Sequence, residues 1–134
     1  MPLNIRVIAP DKTVWNTNAE EVILPSSTGQ LGILTGHIPL LTALDIGVMR
    51  VRIDKEWKPI ILLGGFAEVD NNNITILVNG VEESTDLDMK TAQIQLEEAS
   101  ATLTEAESNK EKIDATQNLR KARARVQALN VLNN

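Results

Sequence analysis

The feature that most narrows what this chain can fold into is a change of hydrophobic period near residue 83. Before it, apolar residues come in short alternating runs broken by turn formers, the period of half-buried strands. In "GVMRVRI", Met49, Val51 and Ile53 fall on one face and Arg50 and Arg52 on the other. "NIRVIAP" ends at Pro10-Asp11 and "EEVILP" at Pro25. "DKE" (54–56) and "DNNN" (70–73) offer residues that tolerate left-handed backbone and close turns on their own main chain. About nine to ten short strands are predicted, and strands so short and closely spaced fold as a sandwich or flattened barrel.

Beyond the change, Met89, Ala92, Leu96, Ala99, Leu103 and Ala106 step by threes and fours, and so do Ala115, Leu119, Ala122, Val126 and Leu129. Both are heptad seams. The polar "SNKEK" between them predicts a short turn joining two antiparallel helices, with Asp86 or Asp88 as N-cap. Acidic residues in the first turn and basic ones at the far end are expected to complement the helix dipoles. The predicted fold class is therefore α+β: a β-sandwich over residues 1–84 and a helical hairpin over 85–134. Alanine fills about half of each seam, so the hairpin buries little and is expected to be held marginally, able to leave its resting surface.

Composition excludes several chemistries. With no cysteine and a single histidine there is no thiolate, no disulfide and no ordinary zinc site. Net charge runs from −2 over residues 1–81 to −7 over 82–107 and +4 over 108–134, an asymmetry that favours specific protein partners. An acidic chain with 2% aromatics has neither the field nor the stacking groups for nucleic acid. The longest apolar run, "IILLGGFA" at 60–67, is far too short to span a bilayer, and no charged-then-apolar leader opens the sequence, so a soluble protein working where it is made is expected.

Three stretches are candidate sites. "GQLGILTGHIPL" (29–40) holds three glycines and the lone histidine. Its spacing matches neither a phosphate loop nor a dinucleotide loop, and no nucleophile or carboxylate lies near His37, which leaves a plain turn or a shaped contact loop. "LRKARAR" sets Arg120, Lys121, Arg123 and Arg125 around an apolar stripe, where they either pair with Glu97, Glu98, Glu105 and Glu107 of the first helix or present a docking face to an acidic partner. "GGFAEV" (64–69) reads as core architecture with a bulge or close sheet approach at its glycine pair, and Trp15 and Trp57 as anchors of the sandwich edge.

Taken together, "GQLGILTGHIPLLTALDIGVMRV", "GGFAEV" and "LRKARARV" resemble the epsilon subunits of F-type ATP synthases, and "IAPDKTVW" with "EEVILPSSTGQLGIL" is most similar to the photosynthetic branch. The resemblance covers the whole chain. It implies a non-catalytic rotor subunit whose sandwich binds the gamma subunit and the ring of c subunits, and whose hairpin extends along gamma to the catalytic alpha and beta subunits and suppresses ATP hydrolysis. Carried over by position, Gln30, Leu31, Gly32, Thr35, Gly36 and His37 resemble the c-ring contact, Leu40, Leu41 and Thr42 the gamma contact, and Arg120, Lys121, Arg123 and Arg125 the regulatory basic face. Some relatives carry Glu where Gln30 stands. Bacterial relatives that bind ATP use Ile/Leu-Asp-x-x-Arg-Ala, and here Thr91 replaces the arginine in Leu87-Asp88-Met89-Lys90-Thr91-Ala92, so no cofactor is expected; Asp88, Arg120 and Arg123 are the residues a weak nucleotide site would use. The implied location is peripheral on a thylakoid membrane, on the stromal side in a chloroplast or the cytoplasmic side in a cyanobacterium. A free adaptor gripping clients with its hairpin would need an apolar tip, and "ESNKEK" is not one.

Overall fold

The computed structural model describes residues 2–82 and 88–132. Its strands are β1 (Leu3–Ala9), β2 (Lys12–Ala19), β3 (Glu21–Ser26), β4 (Gly29–Leu34), β5 (Leu40–Ile53), β6 (Glu56–Asp70), β7 (Asn73–Val78) and β8 (Val81–Glu82), followed by helices α1 (Met89–Glu105) and α2 (Asn109–Leu132). The 84/85 boundary, Asp86 and Leu87 lie outside the described residues. Strands pair in the order β2-β1-β7-β6-β5-β3-β4, with β8 beside β6.

Among the described residues eight strands stand where nine to ten were expected, because β5 and β6 run 14 and 15 residues without a break. They form one antiparallel hairpin, and each serves both layers of the sandwich. The first half of β6 pairs with β8 and the second half with β7. Between the halves the inward-facing residues change parity: Ile60 and Leu62 in one half, Ala67 and Val69 in the other, all in the core. β5 does the same, from Leu44 to Met49 and Val51. The change falls at Gly64 and Gly65, whose φ angles of +85° and +147° only glycine adopts freely. The pair therefore marks a bend and a close sheet approach, with the β5–β6 register unbroken across it.

Both long hairpins close on the expected turn formers. Asp54 and Lys55 have φ of 52° and 70°, and Asn71 and Asn72 have 50° and 65°, the paired left-handed geometry of a two-residue hairpin turn. β3 continues past Pro25 to Ser26, and the proline, which has no N–H to give, sits where the β3–β5 register shifts. The core is aliphatic, from Leu3, Ile5 and Val7 through Leu24, Ile33 and Met49 to Ile74 and Ile76. Trp15 packs at its edge, and Trp57 lies under the guanidinium of Arg52 at 5.8 Å, which also binds Glu20 and Glu21.

The two helices run antiparallel and form a third layer. Asp88 caps α1 by accepting from Thr91 N–H at 2.7 Å, and Ser108 caps α2 by accepting from Glu111 N–H at 3.1 Å while the Glu111 carboxylate reaches back to Glu107 N–H. Part of "SNKEK" is thus already helix. The dipole expectation is corrected: Glu111 is the only acidic residue in either first turn, and neither last turn holds a basic one, because the acidic cluster lies mid-helix and the basic cluster ends two turns before Leu132. Ala92, Ala115, Ala122 and Leu129 are buried along the expected seam. A second stripe, Ala124 and Ala128, packs α2 onto Ile61 of the sheet, beside Val48 and Leu63. That is why Ile60, Ile61 and Leu62 are all buried: their strand is covered on both faces. No helix among the described residues is long and apolar enough to cross a membrane.

Candidate functional site

The glycine-rich stretch divides between an edge strand and a turn. Among the described residues β4 pairs only with β3, and its alternation sends Leu31 and Ile33 inward while Gln30, Gly32 and Leu34 face out. Gln30 Oε1 accepts from Arg50 Nη2 at 3.0 Å. After Leu34 the chain turns sharply: His37 N–H donates to Leu34 O at 3.1 Å, and Gly36 N–H donates to Asn72 Oδ1 at 2.8 Å, fastening this turn to the β6–β7 turn. Gly36 has φ +88°, a conformation that disfavours any side chain. Thr35 is exposed, and half-buried His37 holds its Nδ1 at 2.7 Å from Ile38 O, so that nitrogen carries the proton and the carbonyl accepts.

Of the predicted gamma-contact residues, Leu40 packs against the core, Thr42 is half-buried with its hydroxyl donating to Ala43 O, and Leu41 stands 70% exposed. Leu41 does not stand alone. Along the outer face of the layer containing β7 and β1, the pairing sets Ala43 opposite Phe66, Phe66 opposite Leu77, and Leu77 opposite Ile8. Phe66 and Leu77 are 57% and 53% exposed. Four strands thus assemble one apolar row, continuous with Leu41 and one step from the 35–39 turn. Sequence reading assigned "GGFAEV" to core architecture, and Phe66 is instead the centre of an exposed patch. Its signal was present: Glu68, two residues on, shares its face and marks that face as outward.

The basic residues of α2 do not share one environment. Arg120 and Arg123 are exposed, Lys121 is half-buried in a groove between the helices, and Arg125 is half-buried in a bidentate pair with Glu82. Among the described residues no ion pair joins them to Glu97, Glu98, Glu105 or Glu107. The Asp88 carboxyl sits below its ordinary range, first because Thr91 N–H donates to it and then because the Thr91 hydroxyl does. It is occupied as a helix cap, and the antiparallel run of the helices places it about two turns beyond Arg123 and three beyond Arg120 along the pair. What these elements offer chemically is contact: an apolar row, a hydrogen-bonded turn and a helical layer docked on the sheet through alanines.

The profile of the ATP synthase delta/epsilon chain β-sandwich domain matches residues 2–84, and that of the delta/epsilon chain long α-helix domain matches residues 85–130. The chloroplastic ATP synthase epsilon chain of Gracilaria tenuistipitata var. liui is 72% identical over 134 residues, covering 100% of both chains. The epsilon chain of the cyanobacterium Thermosynechococcus vestitus is 60% identical, covering 96% of this chain and 95% of the other. A chain in the mitochondrial ATP synthase of Euglena gracilis, solved as OSCP/F1/c-ring, superposes with a TM-score of 0.82 at 19% identity, covering 96% of this chain and 81% of that one, which shows the shared fold. The chain belongs to the ATP synthase delta/epsilon family, among the epsilon chains of the photosynthetic type.

Proposed function

We propose that this chain is the non-catalytic central-stalk subunit of a proton-driven ATP synthase, in which residues 1–84 couple the gamma subunit to the c ring and residues 85–134 restrain ATP hydrolysis. The observation that carries the reading is the separation of surfaces. The apolar row and the 35–39 turn lie at one end of the sandwich and on one layer, while the hairpin rests on the other layer through alanines. Coupling contacts can stay in place while the hairpin leaves.

In this reading the row of Ile8, Leu41, Phe66 and Leu77 is covered by gamma, since exposed apolar area of this kind marks a protein contact. Gln30, Gly32, Thr35, Gly36 and His37 meet the c ring, with Leu31 supporting them from inside the core. Arg120 and Arg123 are the exposed charges available to acidic surfaces of the alpha and beta subunits. The chloroplastic and cyanobacterial relatives support a place on a thylakoid-associated ATP synthase. The stromal or cytoplasmic face is the side where the catalytic head would meet it.

The test is a chain stopped at Glu83. Among the described residues the main core draws only on Leu3 to Val78, with Val81 packed against it, so the sandwich keeps that interior without the helices. This chain should bind gamma and support proton-driven synthesis, and should fail to inhibit hydrolysis by the detached catalytic head. Loss of synthesis would show that coupling does not reside in the sandwich.

A further inference from the structure

The hairpin is docked by very little apolar surface: Ala124 and Ala128 on Ile61, flanked by Val48 and Leu63. Among the described residues one ion pair joins sandwich to hairpin. Arg125 of α2 donates through Nε and Nη2 to the two carboxylate oxygens of Glu82, at 2.5 and 3.1 Å, and its Nη1 reaches Gln95 Oε1 of α1 at 3.4 Å. Glu82 is the last residue of β8. A single guanidinium therefore ties the sandwich, α2 and α1 together, and its planar fork matches the carboxylate on two parallel bonds. The side chains are 26% and 31% exposed, so solvent screens the pair less than a fully exposed one.

This bond also commits Arg125. Its neighbours Arg120 and Arg123 point their charge at solvent, while Arg125 already has both faces of its fork on internal acceptors. A carboxylate on another polypeptide could take the place of Glu82 only after α2 has lifted from the sheet. We infer that Glu82 is an internal competitor for Arg125: it latches the hairpin to the sandwich, and Arg125 joins an external acidic surface only when the latch is open. The competitor half of this inference rests on the hairpin being the regulator of hydrolysis, whereas the latch half does not.

Two substitutions break the same bond with opposite consequences. Glu82→Gln releases the hairpin with Arg125 intact, and Arg125→Gln releases it without the charge. The chain has no cysteine, so cysteines introduced at exposed Lys58 and Gln127 give a clean pair of spin labels on the full-length protein. Each variant should raise the undocked population about fivefold, the scale of one partly exposed pair. Higher salt should lengthen the distance in the parent and much less in the variants. Added to the detached catalytic head, Glu82→Gln should inhibit hydrolysis more strongly than the parent and Arg125→Gln more weakly. The charge-swapped double variant, Glu82→Arg with Arg125→Glu, should restore the docked distance without restoring inhibition.

Distances unchanged in both single variants would overturn the latch, whatever hydrolysis does. Longer distances with inhibition lost equally in both would overturn the competitor role. Longer distances with hydrolysis indifferent to both would uphold the latch, overturn the competitor role and count against the regulatory reading itself.

Discussion

The carbonyl oxygen of Leu77 lies 2.0 Å from where a β-carbon on Gly65 would stand, and the Val78 α-carbon lies at 2.8 Å. Both are backbone atoms of the neighbouring strand and cannot rotate away. Gly65→Ala should therefore cost about 3–5 kcal/mol, near the top of the range for single substitutions, read as a lower urea midpoint with an unchanged slope. Gly32→Ala is the matched control: it has an ordinary φ, nothing lies within 4 Å of the added carbon, and stability should move by less than about 0.5 kcal/mol.

The contact between Ala128 and Ile61 decides whether the helical layer stays on the sheet. Ala128→Asp would press a carboxylate into that apolar contact with no partner, at a cost of about 3 kcal/mol. Protection of α2 amides from hydrogen exchange should fall about a hundredfold, while amides of β1 and β7 keep theirs. α1 packs on α2 and makes few contacts with the strands, so its protection should fall as well. Loss of protection in the strands too would mean that hairpin and sandwich unfold as one unit.

The elements that were legible in the sequence are those with a demanding local requirement. Asn71-Asn72 and Asp54-Lys55 announced left-handed turns, and the seam from Met89 to Ala106 announced a helix by its spacing. The length of β5 and β6 was not legible, because strands covered on both faces lose their alternation at the point where they change layers. The Ala124 and Ala128 stripe was hidden for a related reason: alanine in a helix rich in alanine carries no periodicity of its own. Site residues followed the same division. The 29–40 loop is contiguous and so could be read as a candidate from the sequence, whereas the apolar row is built from four strands and only its Leu41 flank could be read that way. The Arg125–Glu82 pair spans 43 positions, and nothing local to either residue points to the other.

Phe66 and Leu77 face each other across β6 and β7 and are both exposed, so they should matter for binding and little for folding. Phe66→Ser and Leu77→Ser should each shift stability by less than about 0.5 kcal/mol. Affinity for the gamma subunit should fall about tenfold for each, since large side chains at the middle of a contact carry most of its energy. Titration of gamma with each variant checks this. Unchanged affinity in both would move the gamma surface elsewhere on the chain.

Asp88 gives the fold a directional response to pH. Its folded-state pKa lies below the ordinary value of 3.8, because the ionised carboxylate accepts from Thr91 N–H and then from the Thr91 hydroxyl. A lowered folded pKa means that the cap contributes its stability fully above the unfolded value and loses it as pH falls through the folded one. The start of α1 should therefore weaken only below about pH 4, and never on the alkaline side. Asp88→Asn keeps an acceptor oxygen at the N-cap and removes the titration, so its α1 should show no such loss. Asp88→Ala removes the acceptor and should fray α1 at every pH. The informative quantity is the difference between parent and Asp88→Asn, followed by amide exchange at Thr91 and Ala92 across the acid range. If that difference stays flat down to the lowest pH at which the sandwich remains folded, the Asp88 carboxylate is not what holds the first turn of the hairpin in place.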